Sequence, residues 1–143
     1  MGEPSGRKRV IFVCTHNSAR SQMAEGMLRA WAGDRFDVSS AGTVATHVRP
    51  EAADVMAELG IDISGQSSKT LARFLEDPFD WLITVCDDAR ESCPTLPGVR
   101  RQEHWSIADP SRTEGNRDAR LLAFRAARDE LRTRVERFIS NAA

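Results

Sequence analysis

One short stretch of the chain combines residue types whose spacing suits nucleophilic chemistry on an anion. Cys14 and Arg20 are separated by five residues, and Ser21 directly follows the arginine. A cysteine thiolate is a strong nucleophile, and a guanidinium is a planar fork of donors that matches a tetrahedral oxyanion. The pattern therefore predicts a site that binds an oxyanion and attacks it with the Cys14 sulfur.

The residues on either side of this stretch predict the elements that position it. An apolar, β-branched run from Val10 to Val13 precedes Cys14, and helix-forming residues run from Ser18 to Ala32. This order is typical of a buried strand, a tight loop and a helix. A loop that leads into a helix collects backbone N–H groups at the positive end of the helix dipole. We expect that field to favour a nucleophilic thiolate, whereas a cysteine that merely ends a core strand would need no such pattern.

The rest of the chain predicts a single α/β domain over residues 1–143, with a loose tail at residues 1–7. Further strands are predicted over 36–40, 80–85 and 101–105, and further helices over 50–59, 70–75 and 116–139. Strands that alternate with helices form a parallel sheet with helices on both faces. Ligands of such folds bind beyond the carboxyl ends of the strands, which is where Cys14 and Cys86 both fall. We therefore expect four parallel strands and one crevice that both cysteines face.

Composition excludes several functional classes. The formal net charge is −1, which gives no electrostatic reason to expect a nucleic-acid partner. No apolar run approaches membrane-spanning length, and residues 1–9 lack the apolar core of a signal peptide. Three cysteines do not form an even disulfide framework and fit reactive thiols in a reducing compartment. We therefore expect a cytoplasmic monomer that binds neither membrane nor nucleic acid.

The stretch from Cys14 to Ser21 resembles the anion-binding loop of the low-molecular-weight protein tyrosine phosphatases and of the arsenate reductases built on the same fold. The resemblance implies the three-layer sandwich of that family, with four parallel strands. It covers nearly the whole chain, because it extends to Met23-Ala24-Glu25-Gly26, Ser40-Ala41-Gly42, the segment from Cys86 to Gly98, and Glu103-His104-Trp105.

The resemblance implies a role for each residue of the loop. Cys14 is the nucleophile, and Asn17 and Ser21 hold the loop and hydrogen-bond the thiolate. Asp109 is the general acid, because the family places its acid in such an Asp-Pro segment and the departing oxygen needs a proton. An aspartate before a proline is otherwise a simple turn. The residues implied to bind the oxyanion are Thr15, His16, Asn17, Ser18, Ala19, Arg20 and Ser21.

The segment that begins at Cys86 resembles the redox segment of thioredoxin-coupled arsenate reductases. The implied substrate is arsenate, with phosphate or sulfate as competing anions. The implied mechanism is a relay of Cys14, Cys86 and Cys93, with no bound cofactor and with external thioredoxin, its reductase and NADPH as the source of electrons. Mycothiol or glutaredoxin is the alternative reductant. A zinc site of Cys86, Cys93 and His104 is another possibility, although this spacing matches no common zinc-finger pattern, and we predict no metal.

Two other functions are compatible with the loop. A phosphatase would need only Cys14, Arg20 and Asp109, and would leave the other two cysteines without a role. Phosphatase relatives usually carry a tyrosine near the acid to wall an aryl phosphate pocket, and this chain contains no tyrosine, which favours a small oxyanion. A non-catalytic anion-binding regulator on this fold is the third hypothesis.

Two positions depart from the relatives. Some of them have a further cysteine where this chain has Ala19. Some bind potassium with an asparagine, a glutamate, a serine and an acidic residue; Asn17, Glu25 and Ser40 match the first three, but Lys69 stands in place of the acid. We expect the Lys69 ammonium to replace the charge of the ion and to support the loop together with the other three residues.

Overall fold

The computed structural model describes residues 6–87 and 96–142. The strands are β1 (Lys8–Cys14), β2 (Phe36–Gly42), β3 (Trp81–Thr84) and β4 (Arg101–His104). The α-helices are α1 (Arg20–Ala32), α2 (Pro50–Ala57) and α3 (Arg117–Asn141), and two short 3₁₀ helices span Leu71–Phe74 and Pro110–Arg112. Cys93 and most of the predicted tail lie outside the described residues.

The four strands form one parallel sheet, as the sequence predicts, and their order is β2-β1-β3-β4. Strand β1 pairs on both sides, with β2 and with β3, and its residues from Val10 onwards are buried. A strand buried on both faces reads as a continuous apolar run rather than an alternating one. The central position of β1 therefore explains why Cys14, at its carboxyl end, emerges in the middle of the sheet edge.

Two buried apolar clusters lie on the two faces of the sheet. On one face, Val10 and Phe12 of β1 pack with buried side chains of all three α-helices. On the other face, Ile11 and Val13 pack with side chains from β3, from the first 3₁₀ helix and from residues 96–99. The core therefore clamps β1 from both sides. No helix in the described part of the chain is both long enough and apolar enough to cross a bilayer.

Several element boundaries differ from those predicted. Helix α1 begins at Arg20 rather than Ser18, because the residues before it are part of the loop. The helix predicted over 70–75 is only a 3₁₀ helix of four residues. Helix α2 ends at Ala57, and Gly60 just after it has a φ of 76°, a left-handed conformation suited to the chain reversal after a helix.

Helix α3 matches the predicted amphipathic helix, with two exceptions. Leu122 is 66% exposed, because the preceding residue, Leu121, is the one that packs against the core. Charged residues of an amphipathic helix normally face solvent, but Arg128 is buried. Its Nη1 donates to the Val55 carbonyl at 2.9 Å and to Glu58 Oε1 at 2.7 Å, so it joins α3 to α2. Hydrogen bonds from Arg125 and Arg128 lower the pKa of Glu58 to about 2.

Leu131→Ala tests the packing of α3 into the larger apolar cluster. Leu131 is fully buried, so we expect its truncation to lower the free energy of unfolding by about 2–5 kcal/mol. The measurement is urea denaturation followed by circular dichroism. The matched control is Leu122→Ala on the same helix, which should change stability by less than about 0.5 kcal/mol. Equal effects of the two substitutions would contradict the placement of α3.

Candidate active site

The loop of residues 15–19 joins the end of β1 to the start of α1. Cys14 is 2% exposed, so its sulfur lies at the bottom of the loop. Among the described residues other than glycine, only Asn17 has a positive φ, at 51°. Asparagine tolerates this left-handed conformation better than most residues. The chain therefore reverses its direction at Asn17.

The amino end of α1 lacks its usual polar cap. Its N-cap residue, Ala19, has no side chain that can accept from the first N–H groups, and the first turn contains no acidic residue. The first N–H groups of a helix have no partner within the helix. Together with the dipole of a helix of 13 residues, they favour an anion directly above Cys14.

Arg20 and Asp109 meet at the edge of the loop. Arg20 is buried, and its Nη1 donates to the Ile107 carbonyl at 3.0 Å. Its Nη2 lies 3.5 Å from Asp109 Oδ2. The other carboxyl oxygen of Asp109 accepts from the Ser111 amide at 3.0 Å and from its hydroxyl at 2.6 Å. Asp109 therefore caps a turn at Pro110 and also faces the guanidinium, so the structural and catalytic interpretations of the Asp-Pro segment are compatible.

Buried hydrogen bonds connect Cys14 to the side chain of Asn17. Cys14 Sγ lies 2.8 Å from Ser21 Oγ. Asn17 Nδ2 donates to Ser21 Oγ at 2.8 Å and to Ser40 Oγ at 2.9 Å. Because Ser21 accepts from Asn17, its hydroxyl hydrogen is available to the sulfur. This arrangement suits a thiolate at Cys14.

The same network continues outward to three charged side chains. Ser40 Oγ donates to Glu25 Oε1, and Glu25 Oε2 lies 2.5 Å from Arg29 Nη2. Lys69 Nζ lies 3.9 Å from Glu25 Oε1, and the Lys69 amide donates to Asn17 Oδ1 at 2.8 Å. Burial lowers the pKa of Lys69, and the nearby Glu25 carboxylate partly opposes that shift. The structure therefore brings together all the residues that the sequence grouped as loop support.

Neighbouring segments engage the backbone carbonyls of the loop. The amide of Val44 donates to the Thr15 carbonyl at 3.1 Å, and the Ser68 hydroxyl donates to the His16 carbonyl at 3.1 Å. The Ser18 carbonyl also accepts a backbone bond at 2.9 Å, from residue 49. These bonds occupy oxygens whose negative charge would otherwise oppose an anion in the loop.

Cys86 lies beside the loop, just beyond the carboxyl end of β3. It is fully buried, and its Sγ is 3.8 Å from the carbonyl oxygen of Val13, the residue directly before Cys14. The Val85 amide also donates to that carbonyl, at 2.9 Å, so the pairing of β1 with β3 continues to this point. Cys93 lies outside the described residues, and both the relay and the zinc alternative need it. Within the described ranges, no group of three histidine, cysteine or acidic side chains is placed to hold a metal ion.

Two further residues, which no sequence pattern assigned to the site, shape the loop. Gln22 is buried, and its Nε2 lies 3.0 Å from both Asn17 oxygens and 2.9 Å from the Ser67 carbonyl. A Cβ on Gly42 would lie 2.7 Å from the Thr15 carbonyl oxygen and 2.8 Å from the Asn17 amide, so only glycine fits there. A glycine at the end of a predicted strand was a usable signal, whereas a glutamine in a helix was not.

The sequence and the fold are similar to those of known proteins. Residues 9–143 match the family described as low molecular weight phosphotyrosine protein phosphatase. The arsenate reductase of Halalkalibacterium halodurans is 42% identical over 132 residues, which are 92% of this chain and 95% of that protein.

Two solved structures extend the comparison. One is an arsenate reductase in the phosphate binding state, with a TM-score of 0.80 and 35% identity over 95% of this chain and 99% of that chain. The other is a thioredoxin-dependent arsenate reductase of Corynebacterium glutamicum, with a TM-score of 0.73 and 25% identity over 99% of this chain and 63% of that one.

Proposed function

We propose that this chain, which belongs to the low molecular weight phosphotyrosine protein phosphatase family and within it to the arsenate reductases, reduces arsenate with Cys14 as the nucleophile. The proposal rests on one observation above all, which is that a second buried thiol, Cys86, lies beside the loop that holds Cys14. Hydrolysis of a phosphate ester needs one thiol, whereas reduction of arsenate needs two electrons and therefore a second thiol.

In the first step, arsenate binds above Cys14 on the N–H groups of the loop and on the Arg20 guanidinium. The Cys14 thiolate attacks arsenic, and an arsenic–oxygen bond breaks. Asp109 gives its proton to the departing oxygen, which leaves as water or hydroxide. The position of Asp109 against Arg20, 3.5 Å away, supports this role, since a group bound to Arg20 also lies within reach of the carboxyl.

In the second step, the Cys86 thiolate attacks the Cys14 sulfur. The sulfur–arsenic bond breaks and its electron pair stays on arsenic, so arsenic(V) becomes arsenic(III) and leaves as arsenite while a Cys14–Cys86 disulfide forms. Neighbouring parallel strands lie about 4.8 Å apart, and Cys86 is one residue (~3.3 Å) further along its strand direction than Cys14. The Cα atoms of Cys14 and Cys86 are therefore expected about 6 Å apart, within the ~7 Å that a disulfide tolerates.

In the third step, Cys93 attacks Cys86, which releases the Cys14 thiolate and leaves a Cys86–Cys93 disulfide for an external reductant. We propose thioredoxin, with its reductase and NADPH, in a reducing cytoplasm. The similarity to a thioredoxin-dependent arsenate reductase supports that choice. No bound cofactor is required, because each electron pair passes between sulfur and arsenic.

The alternative function is phosphatase activity at the same loop, since the matching family is described as phosphatases. The absence of tyrosine from the chain weighs against an aryl phosphate substrate. One assay distinguishes the two: arsenite production by the purified protein with thioredoxin, its reductase and NADPH, run beside hydrolysis of p-nitrophenyl phosphate. Ester hydrolysis without arsenite production would overturn the proposal.

Cys14→Ser should abolish arsenate reduction and any phosphatase activity together, because both need the same thiolate. Arg20→Lys should also be severe, since a point charge cannot replace a two-pronged contact with an oxyanion. Arsenite release and orthophosphate affinity are the two measurements. Arsenate reduction that persists in Cys14→Ser would contradict the assignment of Cys14 as the nucleophile.

Asp109→Asn should lower the turnover number more than the affinity for arsenate. The amide keeps the shape and can still accept from Ser111, but it cannot donate a proton as an acid, a contribution typically worth about 10²- to 10⁴-fold in rate. Steady-state kinetics with arsenate give kcat and KM separately. Ser111→Ala is the control for the turn alone, and a wild-type kcat in Asp109→Asn would assign Asp109 to the turn only.

The relay predicts different outcomes for the two remaining cysteines. Cys93→Ser should release about one arsenite per enzyme in a single turnover and then stop as a Cys14–Cys86 disulfide. Cys86→Ser should fail even that first release unless an external thiol takes its place. The measurements are arsenite burst size and disulfide mapping by peptide mass spectrometry. Sustained turnover of Cys93→Ser with thioredoxin as the sole reductant would refute the three-cysteine relay.

A further inference from the structure

We infer that the Lys69 ammonium is an internal cation that positions the Cys14 loop and makes the enzyme independent of a bound potassium ion. This inference rests on the proposed role of Cys14 as the nucleophile. It concerns a positioning residue, because Lys69 acts through Glu25 and Asn17 rather than on the substrate. The observation that carries it is the unbroken set of contacts from the ammonium to the Cys14 sulfur.

The contacts run from Lys69 inward through four side chains. The ammonium lies 3.9 Å from Glu25 Oε1, the oxygen to which the Ser40 hydroxyl donates. Ser40 accepts from Asn17 Nδ2 at 2.9 Å. The other hydrogen of that amide goes to Ser21, which in turn lies 2.8 Å from the Cys14 sulfur. Every side chain between the ammonium and the sulfur is buried, so solvent screens these interactions weakly.

The order of donors gives this network one orientation. Asn17 Nδ2 donates to both serines, so each serine hydroxyl has its hydrogen available for an anion. Ser40 donates its hydroxyl hydrogen to the Glu25 carboxylate, and Ser21 is the serine that can donate to the Cys14 sulfur. A cation that holds Glu25 in place therefore also holds Asn17, and through it the hydroxyl that faces Cys14.

Charge counting shows why an additional metal ion does not fit. Glu25 already pairs with Arg29 through Oε2 at 2.5 Å and with Lys69 on the side of Oε1, so the cluster carries two positive charges against one negative. The Lys69 ammonium also donates to the Ser67 carbonyl at 2.6 Å. An added potassium ion would have to share the same oxygens with the ammonium, and like charges at that distance repel.

The choice of lysine at this position is informative. The chain has 20 basic residues, and only Lys8 and Lys69 among them are lysines. An ammonium is a compact point charge, whereas a guanidinium is a wide planar fork. In a chain that otherwise uses arginine, the one lysine of the cluster is the side chain whose charged end approximates a small spherical cation.

Substitution of Lys69 isolates the charge from the backbone contacts. The Lys69 amide still donates to Asn17 Oδ1, and its carbonyl still accepts from Gly42 at 2.9 Å, whatever the side chain. Lys69→Met fills the space without charge, and Lys69→Ala opens a space beside the oxygens of Glu25 and Ser67. Lys8→Met, at the exposed start of β1, is the matched control for loss of a lysine.

The experiment measures two properties of the loop that do not require arsenate reduction. One is the dissociation constant for inorganic phosphate by calorimetry. The other is the rate of Cys14 alkylation by iodoacetamide at fixed pH in the full chain with Cys86→Ser and Cys93→Ser, where Cys14 is the remaining thiol. Both are measured in potassium and in sodium salts of equal ionic strength, and the melting temperature of each variant confirms that it is folded.

We expect the wild-type chain and Lys8→Met to behave identically in potassium and sodium. Lys69→Met should lose about threefold to tenfold in phosphate affinity and in alkylation rate, as expected for loss of one nearby charge, and neither salt should restore it. Lys69→Ala should show a similar loss in sodium and regain most of it in potassium, because carbonyl and carboxylate oxygens replace the hydration shell of that ion.

Three results would overturn the inference: a selective potassium effect on the wild-type chain, a Lys69→Met variant equal to wild type in both measurements, or a Lys69→Ala variant that potassium does not restore. Each is distinguishable from failure of the proposed function. A chain that binds phosphate and alkylates as expected but produces no arsenite would refute arsenate reduction and leave the role of Lys69 intact.

Discussion

The carboxamide of Asn17 is the group on which the rest of the site depends. Asn17 is buried and its backbone has a left-handed conformation, with a φ of 51°. This conformation is unfavourable for residues other than glycine. Its amide nitrogen donates to Ser21 and Ser40, and its oxygen accepts from Gln22 and Lys69. A buried amide without these partners would be strongly destabilising, so the network and the shape of the loop require each other.

The sheet makes this polar network possible. Strand β1 lies between β2 and β3 and is packed on both faces, so its carboxyl end is held in one position. The parallel pairing brings Ser40 of β2 to one side of the loop and Cys86, just beyond β3, to the other. Cys14, Ser40 and Cys86 thus lie on or just beyond three neighbouring strands, and their relative positions follow from the strand register.

The loop by itself does not decide between ester hydrolysis and reduction. An uncapped helix start and a buried arginine stabilise a tetrahedral anion in either reaction. What distinguishes this chain is what surrounds the loop. A second buried thiol, Cys86, lies 3.8 Å from the carbonyl of Val13, the residue before Cys14. The residues after Asp109 are Pro110 and Ser111, which offer no aromatic wall for a larger substrate.

The sequence alone determined the local parts of this protein. The strand, loop and helix around Cys14 could be read from periodicity, because hydrophobic burial dictates those patterns within a few residues. The spacing of Cys14 and Arg20 indicated the anion chemistry, because a thiolate and a guanidinium at the two ends of a short loop suit an oxyanion. The parallel sheet followed from the alternation of strands and helices. Tertiary structure decided the contacts between distant residues. Lys69 reaches Asn17 across 52 positions and Arg128 reaches Val55 across 73, and no local pattern encodes such pairs. They exist because the packed sheet and helices bring those backbones together, and buried polar groups then bond to the partners that the packing leaves within reach.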